Sequence, residues 1–256
     1  MRAGRGHIGA MRLSSPLPAL SRDCALFLDI DGTLIDFSLS PGAVVVPHGL
    51  LAMLKSLQLR QGGALALLSG RRLGDIEALF GPGFAVGAEH GALLQDAEGQ
   101  VFAEIRPSAA LAALAVPLRE AVAAHPGTLL EEKRFGLALH WRAAPETAGG
   151  LQALAARLAA PYPELLLLPA HAALEIRPRG TDKGSALASF MRQPPFAGRK
   201  PVFVGDDTTD EPAIARANEM GGLGLHVARD FGGATQAVRA WLAESLEREG
   251  HGDATA

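Results

Sequence analysis

The stretch ALFLDIDGTL, residues 25–34, begins with a short apolar run and ends in acidic and turn residues, a pattern that determines the predicted fold. The run Ala25–Ile30 is predicted to be a buried strand, and ligand sites of open α/β sheets lie at the carboxyl ends of such strands. Residues two apart in an extended chain project to the same side. Asp29 and Asp31 are therefore predicted to form a close carboxylate pair; the alternative is a glycine turn with solvated aspartates.

Apolar runs on both sides of this stretch alternate with helix-like segments, which indicates α/β architecture. Runs without polar alternation are typical of a parallel sheet covered on both faces. Four further strands are predicted at Gly63–Leu68, Phe84–Ala88, Pro201–Val204 and Gly224–Val227. Helices are predicted at Leu50–Arg60, Leu73–Phe80, Ser185–Met191, Ala213–Asn218 and Thr235–Arg248. Together these elements predict a Rossmann-like parallel-sheet core.

The middle of the chain predicts a second, inserted α/β domain, a cap, over residues 106–178. Its strands are predicted at Thr128–Glu132, Gly136–Arg142, Glu164–Leu168 and Ala173–Arg177, with helices at Ala109–Ala124 and Glu146–Ala160. Several of these strands alternate apolar and polar residues, which is typical of a sheet with one face on helices and one face free. Residues 21–105 and 179–250 are assigned to the core, and residues 1–20 to a flexible tail.

Composition narrows the class of protein. The 256 residues carry 24 Lys+Arg against 27 Asp+Glu, and only 5% are aromatic, which argues against nucleic-acid binding. The chain shows neither a secretory signal nor an apolar run long enough to span a bilayer. The single cysteine, Cys24, excludes an internal disulfide and a multi-cysteine zinc site, and it is interpreted as a small apolar residue. We expect a cytoplasmic protein without a nucleic-acid or membrane partner, and a monomer.

A second acidic cluster, Gly205-Asp206-Asp207-Thr208-Thr209-Asp210-Glu211, follows the predicted strand Pro201–Val204. Acids favour a helix start, and Pro212 fits a first turn, so a solvated helix start is one interpretation. Such a start explains one or two acids but not four. Mg²⁺ prefers carboxylate, carbonyl and phosphate oxygens. Two acidic clusters at strand ends therefore predict a shared Mg²⁺ site.

Two further segments suit a phosphate ligand. Ser69-Gly70-Arg71-Arg72 follows a predicted strand and opens a helix, so its hydroxyl and N–H groups can bind an anion; a serine N-cap is the commoner interpretation. Lys183 precedes the helix Ser185–Met191, where it serves either as a phosphate ligand or as a surface lysine. It is not a P-loop lysine, because the chain contains no G-x-x-x-x-G-K-[ST].

Together the four motifs predict phosphoryl transfer through an aspartyl intermediate. Asp29 would attack phosphorus as a carboxylate nucleophile. Asp31 would protonate the leaving alcohol and then activate water. Mg²⁺, Ser69 and Lys183 would neutralise the phosphoryl oxygens.

This arrangement resembles the haloacid dehalogenase-like phosphatase superfamily. D-x-D-G-T corresponds to its first motif, Ser69 to the second, Lys183 to the third and Gly205-Asp206-Asp207 to the fourth. The resemblance implies that Asp29, the Asp31 backbone carbonyl and Asp206 bind Mg²⁺. It implies that Asp207 and Asp210 support these ligands, and that the interval between Ser69 and Lys183 holds an α/β cap.

A narrower resemblance is to trehalose-6-phosphate phosphatases. It rests on four segments, namely Gly87–Gly91, Glu131 through Arg142, Leu174–Pro178 and the run GDDTTDE. It implies that Glu131, Lys133 and Glu175 hydrogen-bond the distal glucose, and that His90, Gly91 and Arg142 lie in or near the cleft beside Gly70 and Arg71. Without the resemblance, these cap charges would be interpreted as a solvated face, and His90 as a loop histidine. Trp141 departs from the His-Tyr-Arg usual in that family.

The function that the resemblance implies is Mg²⁺-dependent hydrolysis of trehalose 6-phosphate to trehalose and phosphate, in trehalose biosynthesis. A phosphatase for another sugar or glycosyl phosphate, such as sucrose 6-phosphate or mannosyl-3-phosphoglycerate, is the neighbouring alternative. A phosphomutase is a weaker one. A non-catalytic sugar-phosphate sensor on the same scaffold is the alternative from another class; Asp29, Asp31 and Lys183, all present, argue against it.

Overall fold

The apolar run before Asp29 forms an inner strand of a seven-stranded sheet in the computed structural model, which describes residues 17–36, 44–170 and 172–248. The strands of this core sheet are β1 (Cys24–Leu28), β2 (Leu65–Leu68), β3 (Ala85–Ala88), β4 (Leu93–Gln95), β5 (Val101–Glu104), β10 (Lys200–Gly205) and β11 (Leu223–His226). Their order is β11-β10-β1-β2-β3-β4-β5. The first five in that order pair in parallel, and β4 and β5 continue as an antiparallel hairpin.

Helices cover both faces of the core sheet. They are α1 (Leu50–Arg60), α2 (Leu73–Phe80), α5 (Lys183–Phe190), α6 (Glu211–Glu219), α7 (Val227–Asp230) and α8 (Thr235–Glu247). Leu26 and Leu28 of β1 pack in a cluster with α1, α2 and α8, whereas Ala25 and Phe27 pack in a second cluster with α5 and α6. All five β1 residues are buried, so the uniformly apolar sequence of this strand serves two cores at once.

The cap is a four-stranded antiparallel sheet with two helices on one face. Its strands are β6 (Leu129–Glu132), β7 (Leu137–His140), β8 (Leu165–Ala170) and β9 (Ala173–Pro178), in the order β6-β7-β9-β8, and its helices are α3 (Ala109–Ala123) and α4 (Ala148–Ala159). Leu139, Leu174 and Ile176 pack against the helices in a third apolar cluster. On the opposite face, Glu131 and Glu175 flank Ala138 in register.

The predicted fold class, a Rossmann-like parallel core with an inserted α/β cap, is confirmed. Some details were wrong: the hairpin of β4 and β5 was not predicted, β1 ends at Leu28 rather than Ile30, and β7 ends at His140 rather than Arg142. The domain boundaries stay a prediction. Residues 1–16 of the predicted flexible tail lie outside the described residues. Residues 17–20 pack on the core instead of forming a flexible tail, because Leu20 is buried and Trp241 Nε1 donates to Pro18 O at 3.0 Å. Within the described part of the chain, no helix has the length and apolarity to cross a membrane.

Candidate active site

Asp29 occupies the first position after β1, where the chain leaves the sheet. Its N–H still donates to Val204 O of β10 at 3.0 Å, so the ladder holds the backbone although the strand has ended. The side chain is buried, and Thr33 Oγ1 donates to Asp29 Oδ2 at 3.2 Å. Gly32 adopts φ 80°, a left-handed conformation that lets the chain turn back across the end of the strand. The D-x-D-G-T motif thus builds a rigid carboxylate at the sheet's carboxyl edge.

The loop after β10 brings a second pair of carboxylates to the same place. Single carboxylate oxygens of Asp29, Asp206 and Asp210 all lie within 4.8 Å of one another. Asp210 Oδ2 accepts the N–H groups of Asp206 and Asp207 at 2.9 and 3.1 Å. Gly205 is required here, since a Cβ on it would lie 2.4 Å from Asp210 Cγ. The acidic neighbours of Asp29 are therefore Asp206 and Asp210, whereas the predicted partner, Asp31, lies outside this group.

Crowding and burial change the titration of these acids. Burial and the neighbouring Asp210 raise the pKa of Asp29 well above its usual range, although Lys183 opposes the change. Burial and Asp210 also raise the pKa of Asp206 to about 6. Carboxylates held this close favour a bound cation, because the positive charge removes their repulsion. The donor set therefore fits a metal ion with a preference for oxygen ligands.

Lys183 is the first residue of α5, and the sequence alone left open whether it was a surface residue. It is 3% exposed, with Nζ 2.5 Å from Asp29 Oδ1 and 2.6 Å from Asp210 Oδ1. The start of α5 is fixed by a capping box, in which Asp182 accepts from Ser185 N at 2.7 Å. Burial opposes the charge of Lys183, but Asp210 and Asp29 raise the pKa of this side chain above its ordinary value. The interpretation as a surface lysine was wrong.

Ser69 and Arg71 follow β2 and lie beside the acidic cluster. Ser69 is buried, and its Oγ accepts the N–H of Arg71 at 3.2 Å, which leaves the hydroxyl proton free to donate. Helix α2 is capped at Arg72, so Ser69 is not its N-cap. Arg71 Nε and Nη2 donate to Asp31 Oδ2 and Oδ1, each at 2.6 Å. Asp31 and Arg71, both predicted site residues, are therefore present in the site, but in this structure they bind each other.

The turn after β3 lies against the Ser69–Arg71 segment. His90 N donates to Ser69 O at 2.9 Å, and a Cβ on Gly70 would lie 2.6 Å from the His90 ring. Burial lowers the pKa of His90. Gly91, with φ 90°, packs against α5, where a Cβ would lie 2.8 Å from Ala186 Cβ. His90 thus reaches the cleft, while Gly91 supports it from behind.

The free face of the cap sheet supplies the other wall of the site. Lys133 Nζ donates to Gly70 O of the core at 2.9 Å and lies 3.7 Å from Glu175 Oε1 and 4.0 Å from Glu131 Oε1. Burial opposes the charge on Glu175, but His90, Lys133 and Arg177 hold its pKa well below its usual range. Each charge of this wall therefore has an opposite partner, as partly buried charges require.

His140 and Arg142 extend this wall toward solvent. His140 Nε2 lies 3.1 Å from Glu131 Oε2 in a hydrogen bond that lowers the pKa of Glu131. Arg142 is exposed at the rim of the cleft. His140 also lines the cleft, where its contact with Glu131 gives it a supporting role.

A single cleft of about 480 Å³ joins the two walls, a volume typical of small-molecule sites. The predicted residues that line it are Asp29, Asp31, Ser69, Gly70, Arg71, His90, Glu131, Lys133, Arg142, Glu175, Lys183, Asp206 and Asp207. Asp210 lies beneath it and is fully buried. The sequence analysis missed Val44, Asp75, Leu129 and Thr209 in the lining. Thr209 was visible in the acidic run, whereas the other three carry no motif.

Cys24 lies at the opposite end of β1 from this cleft. Its side chain is buried, and burial raises the pKa of the thiol to about 11. A thiol in that state is a poor nucleophile, which agrees with its interpretation as an apolar residue.

Solved structures that share this fold include haloacid dehalogenase-like hydrolases. A haloacid dehalogenase-like hydrolase from Bacteroides thetaiotaomicron matches with a TM-score of 0.62 at 16% identity, over 88% of this chain and 98% of that one. The C-terminal domain of the Candida albicans trehalose-6-phosphate phosphatase matches with a TM-score of 0.67 at 23% identity, over 79% and 80% of the two chains.

Sequence comparison defines the family. The family model described as trehalose-phosphatase matches residues 27–240. The trehalose-6-phosphate phosphatase of Escherichia coli strain K12 is 41% identical over 221 residues, which are 86% of this chain and 82% of that protein. A probable trehalose-phosphate phosphatase of Sinorhizobium fredii is 41% identical over 216 residues, 82% of this chain and 81% of its own. The chain belongs to the trehalose-phosphatase family.

Proposed function

We propose that this chain hydrolyses trehalose 6-phosphate to trehalose and phosphate, a step of trehalose biosynthesis. One observation carries the proposal: a single cleft holds the acidic cluster of the core on one side and the charged face of the cap on the other. The first wall suits a phosphate ester and its metal ion, and the second suits the hydroxyl groups of a sugar. The named activity of the relatives that are 41% identical supports the same substrate.

A Mg²⁺ ion fits the acidic cluster. The ion would be held by Asp29, by Asp206 and by the backbone carbonyl of Asp31. Asp210 would support this set from outside, because Lys183 and two backbone N–H groups already engage its oxygens. Asp207, whose Oδ1 accepts the N–H of Thr209 at 2.5 Å, would stabilise the same loop. When bound, the ion would neutralise charge on the phosphoryl oxygens.

Asp29 would act as the nucleophile. Its carboxylate oxygen forms a bond to phosphorus as the bond from phosphorus to the sugar oxygen breaks, which leaves a phosphoaspartyl group and the sugar alcohol. Lys183 Nζ has three protons, and two of them are engaged by Asp29 and Asp210, so one is available to a phosphoryl oxygen. The free proton of Ser69 Oγ is a second donor. Because these donors are buried and already in place, their electrostatic contribution is large.

Asp31 would move the protons. It donates one to the departing sugar oxygen, and then removes one from the water that attacks the phosphoaspartyl group, which releases phosphate and regenerates Asp29. Both oxygens of Asp31 now accept hydrogen bonds from Arg71, so neither is free for this task. We propose that the entering phosphate attracts the Arg71 guanidinium away, since the two can form a bidentate contact.

The cap wall would recognise the sugar. Glu131 and Glu175 would offer acceptors, and Lys133 would offer a donor. On binding, these groups would exchange their contacts with one another for hydrogen bonds to sugar hydroxyls. A site built of such buried polar groups discriminates strongly, because a substrate without the matching hydroxyl leaves them unpaired. His140 would hold Glu131 in place through the bond at 3.1 Å.

Phosphate release from a panel of sugar phosphates, with Mg²⁺ and with EDTA, tests the proposal. The panel contains trehalose 6-phosphate, sucrose 6-phosphate, mannosyl-3-phosphoglycerate and glucose 6-phosphate. We expect trehalose 6-phosphate to be hydrolysed with the highest kcat/KM, and EDTA to abolish this activity. Comparable rates on several phosphates would contradict the substrate, and inactivity on all of them would favour the sensor.

The expected surroundings of the enzyme are also proposals. The single cysteine of the sequence, buried in β1, supports a cytoplasmic location. Among the described residues, the exposed large apolar side chains are spread over several different elements, which supports a monomer that meets neither nucleic acid nor membrane.

A further inference from the structure

Glu89 is a buried carboxylate of the core that the proposed chemistry does not use. It lies in the turn after β3 and is 7% exposed. Its Oε1 accepts the N–H of Arg134 at 3.3 Å, and its Oε2 accepts the N–H of Phe135 at 2.8 Å. Both N–H groups belong to the turn between β6 and β7 of the cap. A core side chain therefore satisfies the backbone of a cap turn.

The cap turn that Glu89 holds is the one that carries Lys133. Lys133 N donates to Gly136 O at 2.9 Å, which closes the turn. The side chain of Lys133 then reaches Gly70 O at 2.9 Å, next to Ser69. Movement of the turn would move this ammonium group away from both Glu175 and the core.

The backbone of Glu89 is tied to the opposite wall of the cleft. Glu89 N donates to Arg71 O at 2.9 Å, and the next residue, His90, donates to Ser69 O at 2.9 Å. Glu89 and His90 adopt φ of 45° and 58°, left-handed conformations that are unfavourable for residues with a Cβ. Strain of this kind persists where the surroundings impose it, and it occurs often at functional sites.

We propose that Glu89 is a positioning residue for the reaction: it fixes the cap turn of residues 133–135 against the Ser69–Arg71 segment, and so sets the distance between the sugar-binding and phosphate-binding walls. The inference rests on the proposed function, since it assigns Lys133 to the sugar. A purely structural buried carboxylate would stabilise the fold without any preference for one substrate over another.

The test compares Glu89→Asn with Glu104→Gln. Asparagine tolerates a left-handed conformation, so this change preserves the turn and removes both the charge and the reach of the carboxylate. Glu104 is a matched control, because it also joins the core to this cap turn, through Arg134 Nη2 at 2.6 Å, but at the surface. Steady-state kinetics are measured on trehalose 6-phosphate and on p-nitrophenyl phosphate, which has no sugar. Hydrogen exchange at Arg134 and Phe135 is measured on the same proteins.

In Glu89→Asn we expect KM for trehalose 6-phosphate to rise roughly tenfold. The ratio of kcat/KM for trehalose 6-phosphate to kcat/KM for p-nitrophenyl phosphate should fall by about the same factor, because a buried hydrogen bond to a charged group is lost. Exchange at the two amides should rise, while Glu104→Gln matches wild type in every measurement. Glu89→Gln, which keeps one acceptor, should fall between them.

An unchanged substrate ratio, or equal losses on both substrates, would overturn the proposal. Unchanged exchange at Arg134 and Phe135 would overturn it as well. The exchange measurement does not depend on turnover, so it tests the anchor even if trehalose 6-phosphate is not the substrate.

Discussion

At the scale of single residues, the site consists of charges that burial would make costly if they were unpaired. Lys183 lies between Asp29 and Asp210, and Glu175 lies near Lys133, His90 and Arg177. Removing one partner of such a pair leaves the other as a buried, uncompensated charge. The stability of the protein and the chemistry of the site are therefore coupled through the same side chains.

Glu175 gives a prediction about pH. Its folded-state pKa lies below the ordinary value of 4.5, so its ionised form stabilises the protein fully above pH 4.5, and this contribution is lost as the pH falls toward the folded-state pKa. Glu175→Gln should therefore lower the free energy of unfolding at pH 7, and by less at pH 3.5. Urea unfolding at both pH values measures the difference.

The control for this prediction is Glu164→Gln, a change at an exposed position, which should have little effect at either pH. A difference between wild type and Glu175→Gln that grows as the pH falls would contradict the assigned direction of the Glu175 pKa.

At the scale of elements, the periodicity of apolar residues predicted the helices that bury one face against a core. Helices α1 and α2 were predicted with the bounds that the structure has, because an apolar stripe on a helix faces one core. The hairpin of β4 and β5 was missed because its strands are short and three of the four β5 residues are exposed. The turn residues Asp96 to Gly99, between the apolar pairs Leu93-Leu94 and Val101-Phe102, were the signal that could have revealed the hairpin.

Strand β1 carries a prediction about stability. Phe27 is fully buried, with ring centroids 5.3 Å from Phe196 and 6.1 Å from Phe190. Phe27→Ala should lower the free energy of unfolding by about 3–5 kcal/mol, because the cavity adds to the lost burial. Urea unfolding measures this loss.

Leu59→Ala is the control for Phe27→Ala. Leu59 is 83% exposed on α1, so the change should cost less than about 0.5 kcal/mol. A loss at Phe27 no larger than that at Leu59 would contradict the packing of β1 against α5 and α6.

The cap wall of the cleft carries a prediction about specificity. Lys133→Ala and Glu175→Ala should lower kcat/KM for trehalose 6-phosphate about 10- to 100-fold, since each leaves a sugar hydroxyl and a buried charge unpaired. Hydrolysis of p-nitrophenyl phosphate should change much less. Steady-state kinetics on both substrates measure the contrast, and equal losses would refute recognition by the cap.

At the scale of the whole molecule, the site unites residues that are far apart in sequence. The order of the motifs, from Asp29 to Asp206, predicted that they meet at one edge of the core sheet. It did not predict which side chains contact each other. Arg71 binds Asp31, and Lys183 joins Asp29 to Asp210, because side-chain partners depend on the exact placement of loops.

The cap shows the same limit. Alternation within several cap strands predicted a free polar face, and the structure places Glu131, Lys133 and Glu175 along the cleft. The bond from Lys133 to Gly70 and the hold of Glu89 on the cap turn depend on how the two sheets approach each other. No periodicity within one element encodes that approach.

The proposed hydrolysis of trehalose 6-phosphate depends on Asp29, at the carboxyl end of β1, as the nucleophile. The most direct measurement is phosphate release from trehalose 6-phosphate with Mg²⁺ by three proteins: wild type, Asp29→Asn and Asp23→Asn. Asp23 is exposed and precedes the other end of the same strand, so it is a matched control. We predict that Asp29→Asn loses at least about 10³-fold in kcat, whereas Asp23→Asn equals wild type. Activity of Asp29→Asn near that of wild type would contradict the account.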